Sequence, residues 1–294
     1  MDVVSISKKK FDSLERIDLP DVNTEGIIYK FPYLGKQKLL KRLYVEDGIS
    51  LASKMFTIEM LNSNQEILPN NFVVPESLIT VEKKVVGFSI PYINGVTLKT
   101  YLNDKTIPLE NQIKYLKKIG NILEKMVKIR GNTDLRHFYL NDLHESNFMI
   151  NFDTNELCVI DLDSCKISNM FCFPSRYLTK NGLLNNVSKY NFDNFRHGSY
   201  VLANEDSDMY CYIILILNFL FGENINSINL DTFYDYLNYL EFVGIEEDLI
   251  NCFRRIVSYG ENINPSEYLS ALNSEQVCRA KKIVYEQVRK NHRY

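Results

Sequence analysis

Between Arg16 and Pro91 the apolar positions fall in short runs broken by turn residues. Arg16-Ile17-Asp18-Leu19-Pro20 alternates, a polar gap follows over 21–25, and Gly26-Ile27-Ile28-Tyr29-Lys30-Phe31 resumes the pattern. After the turn residues Pro32 to Gly35 comes Lys38-Leu39-Leu40-Lys41-Arg42-Leu43-Tyr44, and further runs lie at Phe72–Val74, Leu78–Val81 and Val85–Pro91. Such meandering runs predict an antiparallel sheet. One helix interrupts them at 50–63, where Ala52, Met55, Phe56 and Glu59 share a stripe. An acid on an apolar stripe must be paired or reach solvent. Residues 1–12 read as a basic leader outside the sheet.

Beyond residue 93 the period changes. Ile113, Leu116, Ile119, Leu123 and Met126 recur at helical spacing and predict a core-facing helix ending near Gly131. Leu140–Ser164 then reads as a polar loop (141–147), a strand (148–151), a turn at Asp153-Thr154-Asn155 and a second strand (157–160). An irregular segment, 165–204, carries Pro174, Gly182 and Gly198; long loops inside a domain are functional or disordered. The longest apolar run is Tyr210 to Phe221, preceded by Asp208 as a helix N-cap. As a helix it would span ~18 Å, short of a ~30 Å hydrocarbon core. Helices at 231–243, 246–257 and 265–272 and a charged tail from Arg279 complete the chain.

Composition narrows the classes. Of the 294 residues, 45% are hydrophobic and 24% charged, the balance of a soluble globular protein. A net charge of −3 gives no basic surface for nucleic acid or a membrane. No apolar stretch follows the basic start, so the chain is expected to be cytoplasmic and without a signal peptide. The six cysteines show no metal spacing and are expected to be reduced, and the four histidines are too scattered for a zinc site.

The candidate chemistry lies in the hairpin. Asp142 and Asn147 flank its entry, and Asp161 and Asp163 stand at its exit. A hairpin brings its ends together, so these oxygens can converge. Carboxylate and amide oxygens without Cys or His suit a hard ion such as Mg²⁺, which takes one or two carboxylates plus substrate phosphates.

The order of these residues resembles the catalytic core of the protein-kinase-like superfamily, where a catalytic Asp is followed by a metal-binding Asn and, after a hairpin, a metal-binding Asp. Here those positions fall on Asp142, Asn147 and Asp161. The resemblance implies an α+β, bilobal fold. An antiparallel β-sheet N-lobe with its αC helix would occupy 1–93, and a mainly helical C-lobe 94–294. Gly26-Ile27-Ile28-Tyr29-Lys30 looks like the end of the glycine-rich loop, which puts Gly26 and Ile28 over the nucleotide. Lys41 would clamp the phosphates, with Glu59 as its partner. Pro91-Tyr92-Ile93 would be the hinge, with the Pro91 carbonyl and the Ile93 backbone on adenine.

Several positions depart from the family pattern. Pro20 and Val22 stand near the places of the first two loop glycines, and Leu140-Asn141 replaces the usual His-Arg. His144 takes the place of the catalytic-loop lysine, a variant similar to the loop of aminoglycoside and choline kinases. Asp163 replaces the glycine after the metal-binding Asp, where it could serve the metal or bond nearby backbone. The resemblance implies ATP and Mg²⁺ as cofactors and a divergent bacterial-type Ser/Thr protein kinase acting on a protein substrate. The alternatives are a small-molecule kinase acting on an alcohol and a nucleotide-binding pseudokinase scaffold. The oligomeric state is not predicted.

Overall fold

The computed structural model describes residues 1–17, 26–43, 48–131, 134–167, 196–197, 200–201, 205–222, 225, 228–259, 261 and 263–291. The chain is α+β and separates into two compact units. The first comprises Met1–Gly95 and Met149–Ser164; the second comprises Val96–Phe148 and Cys165–Tyr294. The hairpin expected in the domain 94–294 therefore groups, from Met149 on, with the N-terminal unit.

That first unit is built on a six-stranded sheet. Its strands are β1 (Asp2–Ile6), β2 (Arg16–Ile17), β3 (Gly26–Tyr33), β4 (Lys36–Leu43), β5 (Ser77–Val81) and β6 (Lys84–Pro91), in the order β1-β5-β6-β4-β3-β2. Every pairing is antiparallel except β1 with β5, which is parallel. The sheet is thus mixed, and the expected leader over 1–12 is an edge strand followed by a short helix, α1 (Lys8–Asp12). Backbone pairing along β5 and a Ser5 Oγ to Thr80 Oγ1 hydrogen bond of 2.8 Å hold β1, a source of order that a basic composition does not display.

Alternation divides the sheet into two faces. Phe31, Leu40 and Ile79 form one apolar cluster, against which Phe11 and Leu14 pack from the α1 side. Phe88 and Leu78 lie on the other, with Ile58 and Met55 of α2 (Gly48–Ser63). Strand β4 is approached closely from both neighbours. A Cβ at Gly26 would lie 2.2 Å from the Arg42 carbonyl oxygen, and one at Gly87 would lie 2.0 Å from that of Lys41.

A second, three-stranded sheet has the order β7 (Gly95–Thr97), β8 (Phe148–Asn151), β9 (Glu156–Val159). Strand β9 is tied to the segment after α2: the Val73 N–H donates to the Val159 carbonyl (2.9 Å) and the Val159 N–H to that of Asn71 (2.8 Å). The Phe72–Val74 run makes this isolated bridge rather than a strand.

The second unit is mainly helical. Its longest helices are α3 (Leu98–Asn103), α4 (Leu109–Ile129), α5 (Glu205–Phe221), α6 (Leu230–Phe242), α7 (Glu247–Tyr259) and α8 (Ser274–Asn291); Pro265–Ala271 is a 3-10 helix. The apolar run from Tyr210 is the buried centre of this unit, and its Tyr212 hydroxyl donates to the Leu116 carbonyl at 2.8 Å. Among the described residues no helix is long and apolar enough to cross a membrane. Two short strands, β10 (Arg196–His197) and β11 (Tyr200–Val201), pair within the segment 165–204, most of which, with Pro20 and Val22, lies outside the described residues.

Candidate functional site

In the first unit, four charged side chains meet between the sheet and α2. Lys41 comes from β4, where it faces Ile28 on one neighbouring strand and Phe88 on the other. Asp161 and Asp163 come from the chain just after β9, Asp163 within the 3-10 turn Leu162–Ser164. Lys54 comes from the middle of α2. The Lys41 ammonium donates to Asp161 Oδ1 and, at 2.7 Å, to Asp163 Oδ1; Lys54 Nζ donates to Asp163 Oδ2 at 2.8 Å. The side chains of Lys54 and Asp163 are each 1% exposed and that of Lys41 6%, whereas Asp161 is 33% exposed. Asp161 is therefore the open end of the cluster.

The electrostatics follow from that burial. Desolvation opposes the charge on Lys41, but the Asp161 and Asp163 carboxylates outweigh it and push its pKa above the ordinary lysine value. Burial likewise opposes ionisation of Asp163, and the ammonium groups of Lys41 and Lys54 hold it below the usual carboxylate range. Asp161 is pushed up, first by burial and then by its neighbour Asp163, with Lys41 acting the other way. Asp161 also takes a left-handed backbone, φ 62°. For a residue with a Cβ that costs ~1–3 kcal/mol, and such strain gathers at sites where function requires it.

The second unit holds a different polar group. Asp208 lies in the first turn of α5, buried, and its two oxygens accept the backbone N–H groups of Leu140 and Asn141, both at 2.8 Å. It was expected to cap its own helix; it anchors a distant loop instead. Burial pushes its carboxyl up to about 6, against the two N–H bonds and Arg130. In that loop the Asn147 amide donates to the Asp142 carbonyl (2.9 Å) and to Asp142 Oδ2 (3.4 Å). His144 Nδ1 accepts the Ser146 N–H at 3.2 Å, so its proton lies on Nε2, which faces Asp142 Oδ2 at 3.3 Å. Asn141 carries the loop through φ 62°.

The candidates sort accordingly. Lys41, Asp161 and Asp163 come together in one unit, and Asp142 and Asn147 in the other. Glu59 joins neither: it is exposed, and the carboxylates paired with Lys41 are those of Asp161 and Asp163. The physical reason is helix phase. The buried stripe of α2 is Lys54, Thr57, Ile58 and Leu61, not the adjoining one through Ala52 and Glu59. A lysine within an apolar repeat reads as a solvated edge, and only Ile58 and Leu61, at i+4 and i+7 from Lys54, mark the stripe in the sequence. Gly26 serves the close pairing of β3 with β4, Ile28 is the cross-strand neighbour of Lys41, Pro91 ends β6 and Ile93 follows it, half-buried.

In the first unit the Asp161 carboxylate has the ligand chemistry for a hard cation. In the second, Asn147 uses its Nδ2 on Asp142, which leaves its amide oxygen as an acceptor. Asp163 does not fit as a ligand, nor does it bond backbone as considered: its oxygens bear two lysines and its side chain is buried. Among the described residues no cluster of three or more His, Cys, Asp or Glu could hold a metal by itself. No protein-family model matches the chain, and no curated protein matches it.

Proposed function

We propose that this chain is an ATP- and Mg²⁺-dependent phosphotransferase of the protein-kinase-like type, cytoplasmic, with a protein hydroxyl as acceptor. The observation that carries this reading is the pairing of Lys41 with Asp161, residues separated by 120 positions and drawn from a central strand and a hairpin exit. A lysine held charged beside a carboxylate with one open face has the chemistry of a phosphate clamp next to a metal ligand.

In this mechanism Lys41 binds the nucleotide phosphates, Ile28 lies over the nucleotide, and the backbone at Pro91 and Ile93 holds the adenine. Asp161, beside Lys41, would hold Mg²⁺, whose charge offsets that of the phosphates; the resemblance implies Asn147 as the second ligand. Asp142 orients the acceptor hydroxyl: the hydroxyl oxygen bonds the γ-phosphorus as the bond to the β–γ bridging oxygen breaks, ADP leaves, and the hydroxyl proton passes to Asp142. His144 and Asn147, both on Asp142 Oδ2, fix the carboxylate's orientation. The His144–Asp142 contact also favours a second reading, a kinase of small alcohols, given the resemblance of that loop to aminoglycoside and choline kinases.

Asp161→Ala is expected to abolish MgATP-dependent transfer to protein acceptors with the fold intact, measured with γ-labelled ATP and circular dichroism. Unchanged turnover would remove the assigned role. A panel of alcohols as acceptors separates the two substrate classes. In wild type, MgATP at a hundred times its dissociation constant should stabilise by ~2.7 kcal/mol; no thermal shift would point to a scaffold.

A further inference from the structure

Lys54 is a charge buried mid-helix, among the largest fully buried side chains of the molecule. Buried ion pairs gain little over well-packed apolar residues of similar volume, so stability alone does not account for a lysine there. Its ammonium pairs with Asp163 Oδ2 at 2.8 Å, and the other oxygen of that carboxylate holds Lys41. The helix that was expected to supply an anion for Lys41 through Glu59 supplies a cation instead, on the Asp163 carboxylate that Lys41 shares.

The charges can be counted. The four groups paired here, two lysines and two aspartates, sum to zero charge. If Asp161 turns to a metal, the remaining three groups, Lys54, Asp163 and Lys41, carry one net positive charge toward the phosphates. Without Lys54 the remaining pair would be neutral, the charge of Lys41 being cancelled by Asp163. Resting on the phosphotransferase reading, we propose that Lys54 is a positioning residue of the nucleotide site: it neutralises Asp163 from the α2 side, so that Asp163 fixes Lys41 without cancelling its attraction for the triphosphate. The lysine acts through Asp163 and touches no substrate.

A charge role predicts dependence on the charge of the ligand, which a packing role does not. Binding of MgATP, MgADP and adenosine is measured by calorimetry on the full chain. Lys54→Met is expected to weaken MgATP by about tenfold or more, MgADP by less and adenosine not at all, and Lys54→Arg to restore MgATP binding. If Lys54→Met does not fold, Lys54→Gln keeps a donor for Asp163 Oδ2 without the charge and carries the same comparison. Equal losses for all three ligands, or no loss, would overturn the proposal while wild-type MgATP binding keeps the phosphotransferase reading. Wild type that binds no MgATP would overturn both.

Discussion

Asp163 and Asp208 are both buried carboxylates, one in each unit, and their environments drive them in opposite directions. Asp163 is held below the usual range by two lysine ammonium groups; Asp208, given two backbone N–H groups, is pushed up to about 6. Desolvation is the largest influence on both. What differs is the partner: full opposite charges overcome burial, whereas two amide dipoles do so only in part. The first arrangement maintains a charged cluster that includes Lys41. The second fastens the Leu140–Asn141 turn, next to Asp142, to the first turn of α5.

The comparison breaks first at Asp163. Asp163→Ala would leave two buried ammonium groups without their shared carboxylate and should destabilise the fold by ~3–5 kcal/mol, read by urea denaturation. A loss near zero would mean that the lysines find water or other acceptors. Asp208 offers a pH test. Its folded pKa lies above its ordinary value of 3.8, so the native state binds the extra proton. Its contribution to stability is therefore complete below pH 3.8 and is lost as pH rises through about 6, a change of roughly 3 kcal/mol for a shift of about two units. Asp208→Asn should remove that slope in denaturation curves collected from pH 4 to 7. The smallest effect belongs to Glu59. Exposed and outside the cluster, it should tolerate Glu59→Ala within about 0.5 kcal/mol, with MgATP binding unchanged in calorimetry. A large loss of binding would restore it as a partner of Lys41.

Much of the architecture was legible from local pattern. The strand at Phe148–Asn151 has the expected bounds, and the helices at Leu109–Ile129, Leu230–Phe242 and Glu247–Tyr259 lie within a few residues of expectation. Period, turn residues and caps act over a few positions, so they are written where they act. The Asp142–Asn147 contact was legible for the same reason, since five positions separate the two within one loop.

Other features depended on partners far away along the chain. Strand β1 exists because β5, over seventy positions on, offers an edge. Helix α2 bears apolar residues nearly all round, at Leu51, Met55, Phe56, Ile58, Met60 and Leu61, so its own period does not choose which stripe faces inward. Packing against Phe88 and Leu78 makes that choice, burying Lys54 and exposing Glu59. The chain's order of residues was enough to specify most helices, the hairpin strands of the sheet and the acidic hairpin, because those arise from interactions among near neighbours. Which lysines meet Asp163 was set by the folded arrangement, because desolvation and charge pairing act through space between residues more than a hundred positions apart.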